Sequence, residues 1–434
     1  MKKILKISII GFLITATLAI SSITFAAETK TSRIRIPKSF LKEERSIVFK
    51  RADYDPGGIF LRRLPREDDI DNFNIIVDVR ERYNDNIFYT QNERIYDFIT
   101  NVKPSFDFLW DAKRYEIRGG CNADLELFQV YDSRNNLDYG AHLSTHLLKG
   151  NKLNFKLSDK IRNRESPTGE IFSSDIQRWY ENDLVFETFY DPRPKISSKL
   201  TISHFIKGYK SLSATKQYGH RIFDIEPTIY YQISPRITLI SQFITKYIKY
   251  SEGLNRNSWS QMPGGGIRVE ITKKANIDVR ANYLYRSYYD VDTIDRVNDF
   301  TLDAKLTYNF SKNISLKLRA QRDIYESTRD EIGNAHLISS SFIPELNIGR
   351  FLFPNLELNL SGKAERSVYP AKITEESKTS YLKINNFYCL TKLKYRLTEA
   401  IGIGLDYSWS MRDSRYSGLD YFKNEITLKA KYVY

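Results

Sequence analysis

His142 and His146 have the residue type and spacing that could do chemistry. On an extended strand they share one face, with Ser144 between them, and two imidazoles on one face could share a metal ion. A metal site needs further ligands at suitable spacing, and no clustered cysteine or carboxylate stands near this pair in the chain. Polar lining of a wet space is the better reading of both. A serine hydrolase is the next class to weigh, but no serine sits in a nucleophile-elbow setting. A constellation assembled across strands would not be visible at this level. There is no Walker loop, dinucleotide fingerprint or EF-hand loop either. The sequence therefore assigns no catalytic, cofactor-binding or metal-binding residue; no cofactor is expected, and the chain does not read as an enzyme.

The chemistry left is that of many charges held on one surface, and the elements that hold them are strands. At the end of the chain Ile426, Leu428, Ala430, Tyr432 and Tyr434 share one face, and Thr427, Lys429 and Lys431 share the other. From Tyr115, Ile117, Cys121, Ala123, Leu125 and Leu127 alternate with Glu116, Arg118, Asn122, Asp124 and Glu126. Phe98, Val102, Phe106, Phe108 and Trp110 stand against Asn101, Lys103 and Asp107 in the same way. So many charges on one face exclude a dry core behind it. An apolar face, a wet face and aromatics at the rim are what a transmembrane barrel strand needs, with lipid outside and water inside.

Composition agrees once its averages are read strand by strand. The chain has 434 residues, a formal charge of +13 and 41% hydrophobic residues. Its mean hydropathy is −0.46. A low mean argues against helical spans only, because an alternating strand averages near neutral. After the N-terminus no apolar run approaches the roughly 20 residues a membrane helix requires. The basic balance reads as lumen and loop surface rather than a nucleic-acid footprint, since acids are interleaved with bases throughout. Cys121 and Cys389 both fall on apolar faces and read as small lipid-facing hydrophobes.

Residues 1–26 read as a secretory signal peptide, with Lys2, Lys3 and Lys6 ahead of an apolar core and Thr24-Phe25-Ala26 as the cleavage site. Residues 27–71 alternate poorly and read as an N-terminal periplasmic extension, with a segment folded into the barrel lumen as the alternative. It holds two short strand candidates, Arg33–Pro37 and Ser46–Phe49, a turn at Asp55–Gly58 and a basic cluster of Arg62, Arg63 and Arg66.

From residue 72 to 434 the strand pattern runs on, with connections alternately tight and long. Tight ones fall at Asp111–Lys113, Lys149–Asn151, Asp191–Pro194, Ser234–Arg236, Thr272–Lys274, Ser311–Asn313, Phe353–Asn355 and Thr398–Ala400. Longer polar ones fall at Asn84–Arg94, Arg162–Ser174, Gly208–His220, Tyr250–Gln261, Ser287–Asn298, Asp323–Asn334, Arg366–Ser380 and Met411–Leu419. Short periplasmic turns and longer external loops are the asymmetry of an outer-membrane barrel. The fold class expected is all-β, an antiparallel transmembrane outer-membrane β-barrel of about 18 strands, within 16–18, with both ends of the barrel segment on the periplasmic side. Pro104, Pro227 and Pro344 fall inside strands at similar places in hairpins and are expected to mark bulges or strand ends.

Such a barrel is wide enough for an aqueous channel unless something fills it. Its expected pore-lining cations are Arg118, Lys156, Arg268, Arg280, Lys305, Lys317, Arg319, Lys363, Lys392, Lys394 and Lys429. The acids among them are Glu116, Asp124, Glu126, Glu270, Asp278, Asp303, Glu357 and Asp406. Two arrangements are open: rings of charge that bias permeation by sign, or opposite charges paired across strands that close the lumen. The excess of bases leans toward anionic solutes.

Two resemblances add to this. The stretch Tyr83-Asn84-Asp85-Asn86-Ile87-Phe88-Tyr89-Thr90, followed by Asp97-Phe98-Ile99 and Val102-Lys103-Pro104, resembles the opening of the putative β-barrel porin 2 family. That likeness is specific over the first hairpin only; beyond it the likeness is one of strand rhythm. It implies an outer-membrane barrel whose relatives often accompany exopolysaccharide production, and it supplies no catalytic residues. The terminal strand, with Tyr432 and Tyr434, resembles the signal by which outer-membrane proteins are handed to their assembly machinery.

The expected localisation is the cell outer membrane, and the expected function a porin-like conduit for hydrophilic solutes, with a polysaccharide leaving the cell as a candidate cargo. The rival is a closed-lumen structural or adhesive barrel acting through its external loops. Expected partners are outer-membrane lipid and lipopolysaccharide, the assembly machinery, and a polysaccharide or polysaccharide-export proteins, with no nucleic acid. A TonB-coupled transporter is not expected at this length, since such barrels need about 22 strands plus a plug.

Overall fold

The computed structural model describes residues 73–434 apart from 93, 113, 168–175, 210–218, 252–256, 290–295, 327–335, 351, 376–377 and 415–419. The signal peptide, the periplasmic extension and the candidate strands, turn and basic cluster within it lie outside the described residues.

Among the described residues eighteen strands follow one another. The first nine are β1 (Phe73–Asn84), β2 (Asp97–Asp111), β3 (Tyr115–Phe128), β4 (Asn136–Leu147), β5 (Leu153–Pro167), β6 (Ile176–Arg193), β7 (Ile196–Tyr209), β8 (His220–Ser234) and β9 (Ile237–Tyr250). The others are β10 (Ser258–Thr272), β11 (Ala275–Tyr288), β12 (Val297–Asn309), β13 (Ile314–Glu326), β14 (His336–Ile348), β15 (Leu356–Glu375), β16 (Lys378–Arg396), β17 (Ile401–Ser414) and β18 (Tyr421–Val433). Each pairs antiparallel with the next, and β18 returns to β1, setting Tyr432 opposite Val77 and Thr427 opposite Arg82. The sheet is an up-and-down meander closed on itself, so it has no edge strand.

Alternation explains the two faces. Along β17 Ile401, Ile403, Leu405 and Tyr407 are exposed on the outer surface, while Gly402, Gly404, Asp406 and Ser408 turn inward. Outward aromatics gather toward both ends of the strands. Trp110, Tyr115, Tyr190, Tyr231 and Tyr395 lie toward the tight turns, and Phe98, Tyr139, Tyr180, Tyr247 and Trp259 toward the longer loops. These are the girdles expected where an apolar band meets two interfaces. Cys121 and Cys389 are both free and exposed, on β3 and β16.

Three local expectations need correction. The connection between β3 and β4, absent from the expected series of loops, carries a short 3-10 helix at Asp132–Arg134. The long loop expected over Arg366–Ser380 is largely strand: β15 continues to Glu375 and β16 resumes at Lys378, opposite it. The prolines mark neither bulges nor strand ends. Pro104, Pro227 and Pro344 pair in register with Val77, Leu200 and Leu318 on the preceding strand. Toward the following strand the ladder only skips two residues and resumes in the same register, as from Val102–Leu125 to Ser105–Asn122. Pro263 of β10 does the same. A missing N–H interrupts the ladder toward one neighbour and leaves the other intact, so a mid-strand proline is tolerated here.

Next to Pro263 stand Gly264, Gly265 and Gly266. A Cβ at Gly264 would collide with the Asn282 amide and the Ala281 carbonyl, and one at Gly266 with the Val279 carbonyl. Glycine here lets β10 lie close against β11.

Candidate functional site

The inner wall of the barrel is the candidate site, and its expected charges are placed there in pairs. On β3, Arg118 bonds Glu116 at 2.5 Å, and Lys149 reaches Glu116 and Asp111 from the β4–β5 turn at 2.9 Å each. Glu126 accepts from Arg82 at 2.8 Å, Asn101 at 2.7 Å and Asn136 at 3.0 Å, while Asp124 lies 3.5 Å from Lys103. Lys156 lies 3.7 Å from Glu187.

Farther round, Asp278 sits between Arg268 at 2.7 Å and Arg280 at 3.0 Å, and Asp303 takes Arg319 at 2.7 Å. Lys305 stands in register between Asp278 and Arg319, and Lys317 lies 3.8 Å from Glu345. Lys363 donates to Glu365 at 2.8 Å, and Glu270 stands opposite Asn276. On the last strands Asp406 accepts from Lys429 and faces Lys392 in register, and Lys394 faces Glu357. Tyr432 and Tyr434 point outward and are exposed.

The two histidines are not brought together. Four strand residues at about 3.3 Å each separate them by about 13 Å, too far to share an ion. His146 pairs with Asn154 at 3.0 Å, and His142 lies 3.7 Å from Asp107. Among the described residues no group of three or more His, Cys, Asp or Glu could hold a metal ion.

Other inner residues were not singled out from the sequence. Lys199 bonds Glu187 at 2.7 Å, and Lys207 lies 3.5 Å from Glu181 and 4.5 Å from the Trp179 ring centroid. Toward the longer loops, Ile244, Met262, Leu284, Val297 and Ile324 form a buried apolar cluster, with Tyr288 and Ile338 packed against it. Beside it Arg286, 1% exposed, donates to Ser260 at 2.8 Å, and Lys246, 2% exposed, lies 3.8 Å from Asp224. Those exposures separate this sector from open water. Arg118, at 42%, and Lys156, at 40%, keep their solvent. A signal existed in β9, where Leu239, Phe243 and Tyr247 face out and Ile240, Ile244 and Ile248 face in. A strand apolar on both faces cannot line water along its whole length.

The stretch that carried the family likeness has a structural task. The fully buried Asn86 donates through its amide to the Thr90 carbonyl at 2.7 Å and to the Phe422 carbonyl at 2.9 Å, and its oxygen accepts from the Thr90 N–H at 3.0 Å. Asp85 accepts from the Asn424 backbone and side chain. Asp97, also fully buried, accepts from the backbone N–H groups of Val130 and Tyr131. Tyr89 packs on Tyr421, Lys423 lies over the Tyr89 ring, and Arg134 lies over Phe88. The first loop is thereby fastened over the place where β18 meets β1.

Among the described residues outside the spanning strands, two cations are perturbed. Burial pushes the Arg134 guanidinium down from its ordinary value, against the field of Tyr89. Burial also acts to lower the Lys149 ammonium, but its hydrogen bonds and attraction to Asp111 and Glu116 outweigh it and hold the group above its usual range.

Residues 229–433, from within β8 to the end of β18, match the family model described as "Putative beta-barrel porin 2". The match falls on the later strands rather than on the first hairpin. None of the curated proteins compared matches the chain. Among solved structures, the chain is similar to the outer membrane protein OpdK from Pseudomonas aeruginosa, at 9% identity and a TM-score of 0.47, with 84% of this chain and 100% of that one covered. It is also similar to Pseudomonas aeruginosa OccK11 (OpdR), at 12% identity and 0.45, covering 84% and 97%. Acinetobacter baumannii OccAB3 gives 10% and 0.45, covering 84% and 99%. Likeness at that level shows nothing of this chain's function. Residues 229–433 thus resemble the putative β-barrel porin 2 family, and the chain is a porin-like outer-membrane β-barrel.

Proposed function

We propose that the barrel is a conduit for hydrophilic solutes, with a polysaccharide leaving the cell as its cargo. The observation that carries this is the wall itself: a closed barrel whose inner positions hold charge after charge while its outer positions are apolar and exposed. Charged and hydrogen-bonding side chains replace part of a solute's hydration, which lowers the barrier to its passage without any covalent step. Barrels of roughly 16–18 strands enclose an aqueous channel when nothing fills them. The signal peptide of residues 1–26, the periplasmic extension of residues 27–71 and the assembly role of Tyr432 and Tyr434 belong to this same reading, in which lipopolysaccharide and the assembly machinery are the partners.

The buried sector around Ile244, Met262, Leu284, Lys246 and Arg286 favours a second reading, a closed barrel that acts through its external loops. Single-channel recording of the refolded protein in a planar bilayer decides between them. Stable steps that grow with salt concentration support the conduit. Silence from a barrel that still shows heat-modifiable migration on a gel overturns it in favour of the closed form.

A further inference from the structure

The outer surface of β5, β6 and β7 breaks the apolar pattern of the wall. Asp159 stands opposite Leu143 of β4 and Leu184 of β6, and Leu157 and Ile161 on either side of it are exposed on the outer surface. Alternation along β5 therefore turns the Asp159 carboxylate outward. Asn182 stands opposite Ile161 and Ile206, and His204 opposite Leu184 and Phe223, so both share that outer face. The Asn182 amide donates to Asp159 Oδ1 at 2.6 Å. The other carboxylate oxygen and the His204 ring have no partner among the described residues.

These groups lie within the apolar band, not at its edge. On β5, Leu153 stands opposite Tyr190 of the tight-turn side, and Asn163 opposite Tyr139 and Tyr180 of the loop side. Asp159 is about 20 Å along the strand from Leu153 and about 13 Å from Asn163. Arg221 and Lys249 also face outward, but they lie beyond Phe223 and Tyr247 toward the longer loops. Hydrocarbon offers no hydrogen-bond partner, and a charge on the lipid face costs more the nearer it lies to the midplane. A wall that met lipid alone would carry leucine or valine at these positions.

We propose that the outer face of β5–β7 is an interface with a second copy of this chain, closed by Asp159 and His204. The patch is complementary to itself. It sets a carboxylate acceptor on one side of β6 and an imidazole donor on the other, about 10 Å apart across the strands. A two-fold axis along the membrane normal, passing by β6, turns the β7 side of one copy onto the β5 side of the other. The His204 N–H then donates to the free oxygen of Asp159 of the partner subunit, and the reverse bond forms alongside, as an isologous contact requires. Asn182 holds each carboxylate in place, while Leu157, Ile161, Leu184, Ile202 and Ile206 supply the apolar surround. Pairing replaces polar groups that face lipid by satisfied ones. The interface does not depend on whether the lumen conducts.

The test is made on the full chain in outer-membrane fragments. Leu184→Cys, in a Cys121→Ala/Cys389→Ala background, places one thiol beside the proposed axis. Leu405→Cys in the same background places one on the outer face of β17, far round the barrel. Mild oxidation should join the Leu184→Cys chain to itself, giving twice the chain mass on a non-reducing gel, and should leave Leu405→Cys single. Adding Asp159→Leu/His204→Leu, which suits the face to lipid, should cut that yield about tenfold, equal to about 1.4 kcal/mol of association. Heat-modifiable migration checks that each variant is still a barrel, and the contrast between the two thiols stands without the leucine pair. No doubled band at Leu184, or an equally strong one at Leu405, overturns the interface. So does a product with a chain of another mass, or a yield that the leucine pair leaves unmoved.

Discussion

Two arcs of the inner wall, β2–β4 and β16–β18, are built by the same alternation and carry opposite charge. On the first, Asp107, Glu116, Asp124, Glu126 and Asp138 face inward with only Lys103 and Arg118 as cations of their own strands. On the second, Lys392, Lys394, Arg396, Arg412, Lys423, Lys429 and Lys431 stand with only Asp406 and Glu425. Strand β1 lies between the arcs and joins them: Arg82 bonds Glu126 at 2.8 Å and lies 3.8 Å from Glu425. Backbone geometry is therefore indifferent to the sign of the lumen, which the inward residue at every second position sets.

The largest expected effect comes from breaking the joint. Arg82→Met leaves Glu126 and Glu425 without their shared cation on a largely enclosed wall, and losing one partner of a buried ion pair costs about 3 kcal/mol or more. Arg118→Met, on a pair whose arginine is 42% exposed, should sit within about 1 kcal/mol of wild type. Unfolding midpoints in denaturant, followed by heat-modifiable migration, compare the two. Equal midpoints would mean that Arg82 does not bind the arcs together.

A smaller loss is expected at the seam above the joint. Asn86→Ala removes four hydrogen bonds that hold the first loop to itself and to Phe422, three of them to backbone groups that burial leaves without a substitute. The expected cost is about 2 kcal/mol. Proteolysis should find the first loop in the variant and spare it in the wild type. If the two digest alike, the loop is held by its aromatic contacts instead.

Sign itself is tested by neutralising each arc in turn. Arg396→Gln/Lys431→Gln should lower the ratio of anion to cation permeability, and Asp107→Asn/Asp124→Asn should raise it, each by about two- to threefold. Reversal potentials in a salt gradient report the ratio. Shifts in the same direction would show that the permeating ion does not pass between the arcs.

Much of this is legible in the sequence. Glu116, Arg118, Asp124 and Glu126 alternate with Tyr115, Ile117, Leu125 and Leu127, and only a wall between lipid and water satisfies both sets, so the barrel and its strand number followed. The distribution of sign around the lumen is not legible, because register decides which strands become neighbours in a rung. The buried sector escaped for another reason. Alternation sorts residues only when the two faces differ, and in β9 Ile244 and Phe243 are both apolar. The prolines were misread because a bulge is the usual remedy for a missing donor, whereas Pro104 and its counterparts leave the register intact.

The smallest effect separates the acidic arc from the turn beneath it. Lys149 holds Asp111 and Glu116 together from the β4–β5 turn, and its side chain is about a third exposed, so solvent screens much of the attraction. Lys149→Gln should therefore lower stability by well under 1 kcal/mol near neutral pH. The pH dependence has a definite sign. The folded state binds the Lys149 proton more tightly than the unfolded chain does, so this contribution is complete below the unfolded value of about 10.5 and fades as pH rises through the higher folded value. The difference in midpoint between wild type and variant should hold from pH 7 to about 10 and close only in stronger alkali. A difference that persisted in strong alkali instead would show that the loss comes from the packing of the Lys149 stem and not from its charge.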